Sequence, residues 1–376
     1  MWLLLLLILP EHIRERRSVK VAAFLIVVGT LVFWWFNFPF QKFFLMFHNQ
    51  DNRKTVLIWN PSQSADQDIF SQRCDFAQCN IITNRSELPL ESYDAIVVIF
   101  NDEFSEEMEL PEFGSERNPR QRLVFFTQNP PPALPLNYNK TQFENLFNWT
   151  MTYRMDSDIS FPFGRIIPKE SAPRNQREFL ASKARNGKRL LPAIGNKTKT
   201  IAWMASDCDA TSQQGNYVKE LSRYVAVDVY GECGNVTCDP QCDDMLQSIY
   251  KFHLSFENSL CPDYVTEKFF QMMNHDIVPV VYGEADYSKH APPYSYIDAR
   301  KFEPNELATY LNLLDKNDTL YNEYFWWKDY YRVESSVKET YRRGFCDLCQ
   351  KLNQRIEFKS YPELASSWGD ECTPSV

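Results

Sequence analysis

Two α/β domains behind one membrane-spanning helix is the architecture this sequence predicts, and three observations carry it. Residues 252–283 read FHLSFENSLCPDYVTEKFFQMMNHDIVPVVYG. Phe252, Leu254 and Phe256 alternate as in a strand, 257–259 are polar, and Pro262 and Asp263 open a helix over 264–274. The β-branched run 277–282 then closes at Gly283 as a buried strand. Strand, turn, helix and strand form a βαβ unit, which puts the polar residues at the carboxyl end of a strand, facing a helix N-terminus. Further runs at 55–59 (TVLIW), 94–100 (DAIVVIF), 122–127, 200–205 (TIAWMA) and 225–230 (VAVDVY) have the length and composition of buried strands. Finally, 21–40 is apolar over a bilayer's thickness.

The elements follow in order. Arg14, Arg16, Arg17 and Lys20 precede the apolar run, Trp34 and Trp35 stand near its far end, and only Lys42 follows closely. Positive-inside bias makes 1–20 a cytoplasmic tail, 21–40 a signal-anchor and the rest luminal. No small-residue cleavage site argues for a signal peptide, and the earlier run 2–9 is too short to span. Residues 41–53 read as a stem and 54–165 as the first α/β domain. The Lys-, Arg-, Pro- and Asn-rich 166–198 reads as a helix plus linker, 199–350 as the second domain and 351–376 as a tail. Within the second domain, helices are predicted at 215–224, 304–314 and 320–331.

Composition narrows the partners. A chain of 376 residues holds two ordinary domains, and a formal net charge of −9 argues against nucleic acid. Ten cysteines, all beyond residue 70, fit an oxidising compartment. So do glycosylation triplets opening at Asn84, Asn139, Asn148, Asn196, Asn235 and Asn317. Cys74 and Cys79 are close enough to bridge each other, or each pairs elsewhere.

Tyr264, Glu267 and Lys268, at i, i+3 and i+4, put a phenol, a carboxylate and an ammonium on one predicted helix face. A lysine beside the positive helix end suits a diphosphate, and Glu267 with Asn258 suits sugar hydroxyls. The same spacing also fits a solvated Glu–Lys pair beside a packed tyrosine. Three Asp-x-Asp triplets, Asp66/Asp68, Asp156/Asp158 and Asp207/Asp209, raise the rival of a metal-held diphosphate. Loop, turn or capping roles describe them better.

The order Phe256, Glu257, Asn258, Ser259, Asp263, Tyr264, Thr266, Glu267, Lys268, then Val278–Val281 and Gly283, resembles the donor-binding motif of the α1,3/4-fucosyltransferases. The block FNWTMTYRMDSD at 147–158, followed by Pro162, Phe163 and Gly164, resembles the same family. Taken alone, that block also reads as a buried aromatic segment with Arg154 paired to Asp156 or Asp158.

The resemblance implies a GT-B-like pair of Rossmann-like domains, the first on the acceptor side and the second binding GDP-fucose. It implies inverting transfer of L-fucose from GDP-fucose to O3 of N-acetylglucosamine, in a glycan on a glycoprotein or glycolipid. No metal or other cofactor would be required, and the protein would be a single-pass type II Golgi membrane protein. Asn258, Tyr264, Glu267 and Lys268 would contact the donor, with Lys268 on the phosphates, and Glu257 would be part of the same donor-binding site or orient its loop. Cys346 and Cys349 match the family's C-terminal C-x-x-C, and luminal placement favours a structural disulfide over zinc or redox chemistry. Two positions depart from the pattern. The family's proposed general base, a glutamate, is Asn129 here, or Gln128 in the neighbouring register. A phosphate-binding arginine is replaced by Gln214. An amide accepts no proton, so the catalytic residue is unassigned. The alternative is a weak or inactive member that binds GDP-fucose or glycan.

Overall fold

Each of the strand-like runs picked out above becomes a strand of one of two parallel sheets, whose inner strands are buried on both faces, as β-branched runs with little polar alternation require. The computed structural model describes residues 53–61, 74, 79–101, 110–113, 118–134, 143–186, 194–205, 207, 208, 210, 212–234, 236, 242–354, 359–362, 364, 372 and 373. The expected span 21–40, stem residues 41–52, the sequons at Asn139 and Asn235, and Asp66, Asp68 and Asp209 lie outside them. Among the described residues, no helix is long and apolar enough to cross a membrane.

The first sheet is formed by β1 (Lys54–Ile58), β2 (Cys79–Ile82), β3 (Ala95–Ile99), β4 (Arg122–Thr127), β5 (Trp149–Thr152) and β6 (Ile159–Ser160), in the order β2-β1-β3-β4-β5-β6. Side chains alternate between its faces. Leu57, Ile96 and Val98 enter one core, and Val56, Ile58, Ala95 and Val97 the other. After β7 (Arg165–Pro168), helix α1 (Gln176–Asn186) leads to β8 (Lys199–Met204), α2 (Gln214–Leu221), β9 (Val227–Tyr230), α3 (Cys242–Ile249) and β10 (Tyr250–Phe256). Helix α4 (Glu267–Asn274), β11 (Val278–Tyr282) and β12 (Ile297–Asp298) complete the second sheet, in the order β12-β11-β10-β8-β9. Pro279 fits β11 because β12 pairs only with Val280 and Val281, so the missing N–H falls where the outer side has no ladder.

Helices α5 (Pro304–Asp315) and α6 (Asp318–Asn322) follow, then β13 (Tyr331–Glu334), antiparallel to β7, and α7 (Val337–Leu352). The expected helix over 320–331 is therefore cut short. Trp326, Trp327 and Tyr330 are drawn into an aromatic core with Phe269, Phe270 and Tyr287, and this packing overrides the helical pattern.

Helix α7 returns the chain to the first sheet, where Phe345, Leu348 and Leu352 pack with Val97, Val124 and Trp149. Gly344 allows this approach, since a Cβ there would meet the Phe161 ring at 1.9 Å. The C-x-x-C is not bridged within itself. Cys346 pairs with Cys74 and Cys349 with Cys79, with Cα separations of 5.4 and 5.8 Å. Residues three apart on a helix share one face, and that face meets the β2 edge, so each cysteine finds a partner across the fold. Cys208–Cys233 and Cys261–Cys372 are also bridged.

Candidate donor site at the switch point of the second sheet

The strand order of the second sheet reverses between β8 and β10, which opens a crevice at their carboxyl ends. Asn258, just past β10, and Gln214, the first residue of α2, meet there. The Gln214 Nε2 donates to Asn258 Oδ1 at 2.9 Å, and Lys268 Nζ donates to the same oxygen at 2.8 Å. Lys268 also reaches the Phe256 carbonyl, at 3.4 Å. Glu267 and Lys268 are the first two residues of α4, so the ammonium and the free N–H groups of the helix end lie together.

Helix α4 begins three residues later than expected. Pro262 and Asp263 form a turn instead, with Asp263 at φ 58°, and Thr266 is the N-cap. The predicted face of Tyr264, Glu267 and Lys268 therefore does not form. Tyr264 lies before the helix, buried, with its ring 5.0 Å from Tyr153 and 6.0 Å from Phe163. It belongs to the core of the first sheet, which is the packed-tyrosine reading. Asp263 ties the same two regions together by accepting from the Met155 backbone N–H at 3.1 Å.

Glu257 is fully buried. Its Oε1 accepts from the Thr266 N–H at 2.9 Å, and burial pushes its pKa up to about 7, partly offset by that hydrogen bond and the Lys268 charge. The buried carboxylate holds the start of α4 against the end of β10, which is the loop-orienting reading of Glu257. Gly283 leaves room for it, since a Cβ there would lie 3.2 Å from Glu257 Cγ and 2.6 Å from the Tyr287 hydroxyl. Glu257 Oε2, Thr266 Oγ1, Gln214 Oε1 and Ser212 Oγ are buried without a hydrogen-bond partner. Native interiors leave few such atoms, and Gln214 belongs to the cluster at Asn258.

On the first sheet, Asn129 follows β4, half-buried, its N–H donating to Thr127 Oγ1 at 3.0 Å. Gln128 donates to the Phe161 carbonyl at 3.5 Å. Arg154 pairs with Asp156 through two hydrogen bonds of 2.9 and 2.7 Å, which hold the Asp156 carboxyl below its usual pKa. Asp158 accepts from the Thr150 N–H, the Tyr361 hydroxyl and Lys359, so both members of this triplet are committed to the protein. Asp207 is exposed, and among the described residues no group of three or more His, Cys, Asp or Glu is placed to share a metal.

The sequons divide. Asn84, Asn196 and Asn317 are exposed. Asn148 is 1% exposed, with Oδ1 accepting from the Leu123 N–H at 2.9 Å and Nδ2 donating to the Lys359 carbonyl at 2.8 Å. A glycan on that nitrogen is incompatible with this fold, so the expectation for Asn148 is withdrawn. Sequence reasoning also missed the Asp263–Met155 tie. No local pattern marks it, because its partners are 108 residues apart.

A lysine, two amides and a helix N-terminus are thus gathered at a switch point of a parallel α/β protein, the kind of place where α/β folds bind anions. Comparison with known proteins gives the family. Residues 51–164 match the family described as "Fucosyltransferase, N-terminal", and 194–368 match "Glycosyltransferase family 10 (fucosyltransferase) C-term". An alpha-(1,3)-fucosyltransferase C of Drosophila melanogaster is 37% identical over 318 residues, covering 80% of this chain and 71% of its own. A 3-galactosyl-N-acetylglucosaminide 4-alpha-L-fucosyltransferase of Bos taurus is 34% identical over 322 residues, covering 83% and 80%. A solved alpha1,3-fucosyltransferase with GDP-fucose aligns with a TM-score of 0.45 at 15% identity, over 83% of this chain and 86% of that one. The chain belongs to the fucosyltransferases of glycosyltransferase family 10.

Proposed function

We propose that this fucosyltransferase moves L-fucose from GDP-fucose to O3 of N-acetylglucosamine in a glycan, with inversion and without a metal. The observation that carries the donor half is the junction of Lys268, Gln214 and Asn258 at the start of α4. There the ammonium and helix end would face the diphosphate, the leaving group whose negative charge grows as the sugar–oxygen bond breaks. Glu267, the first residue of the helix, and Asn258 supply groups for ribose or sugar hydroxyls. Residues 54–165 would form the acceptor side and 199–350 the donor side of a GT-B-like pair, joined through 166–198. The chain would sit in the Golgi membrane by a type II anchor at 21–40, carrying glycans at the exposed Asn84, Asn196 and Asn317. The named relatives include both 3- and 4-linkage enzymes, so the 3-linkage rests on the relative at 37% identity.

The second reading, a weak or inactive member that binds GDP-fucose or glycan, draws on Asn129. An amide there cannot take the acceptor proton, and general-base catalysis is worth about 10²–10⁴-fold. One experiment separates the two. The full-length chain in detergent is given GDP-fucose and a panel of N-acetylglucosamine-containing acceptors, with and without EDTA. Fucosylated product at equal rates in both is expected. GDP-fucose binding without product across the panel would rule out the transferase reading, and loss of product in EDTA would rule out the metal-free one.

A further inference from the structure

Behind α4 lies a second cavity, of about 540 Å³, lined by Arg165, Lys289, His290, Arg332 and Arg343, with Phe270 on its apolar side. Phe270 follows Lys268 by two positions, and residues two apart on a helix project about 200° from each other. The Lys268 ammonium is directed into the crevice at Asn258, so α4 stands between that cluster and this cavity.

The charge is one-sided. Four cationic side chains line the cavity and no carboxylate does, in a chain whose formal net charge is −9. Four carboxylates stand behind the lining, Asp286 acting on Lys289 and His290 and Asp263 on His290, and the other two holding the arginines. Glu334, nearly buried, takes the Arg343 guanidinium through two hydrogen bonds of 2.9 Å each and Arg332 at 2.7 Å. Burial alone would raise the Glu334 pKa, and the two arginines more than reverse it, so the carboxylate stays charged and fixes both forks. Asp347 lies 3.7 Å from Arg165. The cations thus face the cavity while the carboxylates that hold them stand outside its lining, an arrangement that offers the cavity side to an anion. His290 belongs to the lining, and its Nε2 is buried without a hydrogen-bond partner.

We propose that this cavity is a second ligand subsite, separate from the donor crevice, for a multi-oxygen anion of the sulfate or phosphate class. Pre-oriented guanidinium groups match such oxygens in pairs. Phe270, together with the β7 aliphatic side chains Ile166 and Ile167, accommodates an organic body carrying the anion. The anion comes either free or as a substituent on a glycan.

Thermal unfolding of the full-length chain, titrated with sodium sulfate against sodium chloride at matched ionic strength, tests the site. The variant is Lys289→Ala with Arg332→Ala. Both side chains are exposed, and Arg343 still neutralises the buried Glu334. Saturable stabilisation specific to sulfate is expected, weakened roughly tenfold or more in the variant, with stabilisation by GDP unchanged. A sulfated N-acetylglucosamine disaccharide that competes with free sulfate, when its unsulfated form does not, identifies a glycan substituent as the ligand. A sulfated sugar that fails to compete assigns the site to the free anion. The proposal fails if sulfate acts no differently from chloride, or if the variant binds it equally well. It fails too if GDP displaces sulfate and the variant loses GDP affinity, which would make the cavity part of the donor site.

Discussion

Both sheets reverse their strand order once, and the two reversal points have been put to opposite uses. In the second sheet the crevice between β8 and β10 gathers Gln214, Asn258 and Lys268, with buried polar atoms left over. In the first sheet the corresponding crevice lies between β1 and β3. There Asn60 ties the end of β1 to β3, donating to the Ile99 carbonyl at 2.6 Å and accepting the Ile99 N–H at 2.8 Å. The same topology thus gathers a lysine and two amides at one switch point and ties an asparagine to a neighbouring strand end at the other. The carboxylates near the end of β5 show the same commitment, with Asp156 held by Arg154 and Asp158 by Lys359 and Tyr361. A switch point is an opportunity, and the side chains at the strand ends decide whether it is taken.

The comparison can be broken most decisively at Asn129. Asn129→Glu would place a proton acceptor beyond β4, and kcat is expected to rise by about 10²-fold with donor affinity unchanged. A kcat that stays put would locate proton acceptance on another group. On the donor side, Lys268→Ala is expected to weaken GDP-fucose binding by roughly 10- to 100-fold, from loss of a charge-assisted contact. Calorimetric affinities equal to the parent's would remove the phosphate role.

A stability measurement sharpens the role of Glu257. Its folded pKa is raised above the ordinary 4.5 to about 7. Its contribution to stability is therefore complete below pH 4.5 and is lost as pH rises through 7, because the unfolded chain releases the proton first. Glu257→Gln is expected to flatten the fall in unfolding free energy between pH 5 and 7 by about 1–3 kcal/mol; denaturant titrations across that window read it directly. The smallest effect is expected from Gln214→Arg, which would restore a cation beside Asn258 and tighten GDP-fucose binding by roughly fivefold to tenfold. Weaker binding would show that Gln214 Nε2 is needed where it is.

Much of this was legible in the chain. The runs at 94–100 and 122–127 form strands with bounds close to those expected, because a buried parallel strand has little freedom in composition. Asn258 and Lys268 were picked out together, and they meet because one βαβ unit holds them ten residues apart. The helix start was misread because Pro262 opens helices and turns alike. What decided against the helix was Asp263 at positive φ, held by a backbone N–H from the other sheet.

The sequence by itself determined the α/β class, the parallel strands and the residue types at the donor crevice. Those depend on local composition and on contacts within a single supersecondary unit. Tertiary structure alone decided the pairing of Cys346 and Cys349 with cysteines some 270 residues away. It also decided the burial of Asn148 within a sequon, the placement of Tyr264 in the other sheet's core, and the convergence of Arg165, Arg332 and Arg343 on one cavity. Each requires chain segments distant in sequence to meet, and periodicity and propensity carry no record of which distant segments those are.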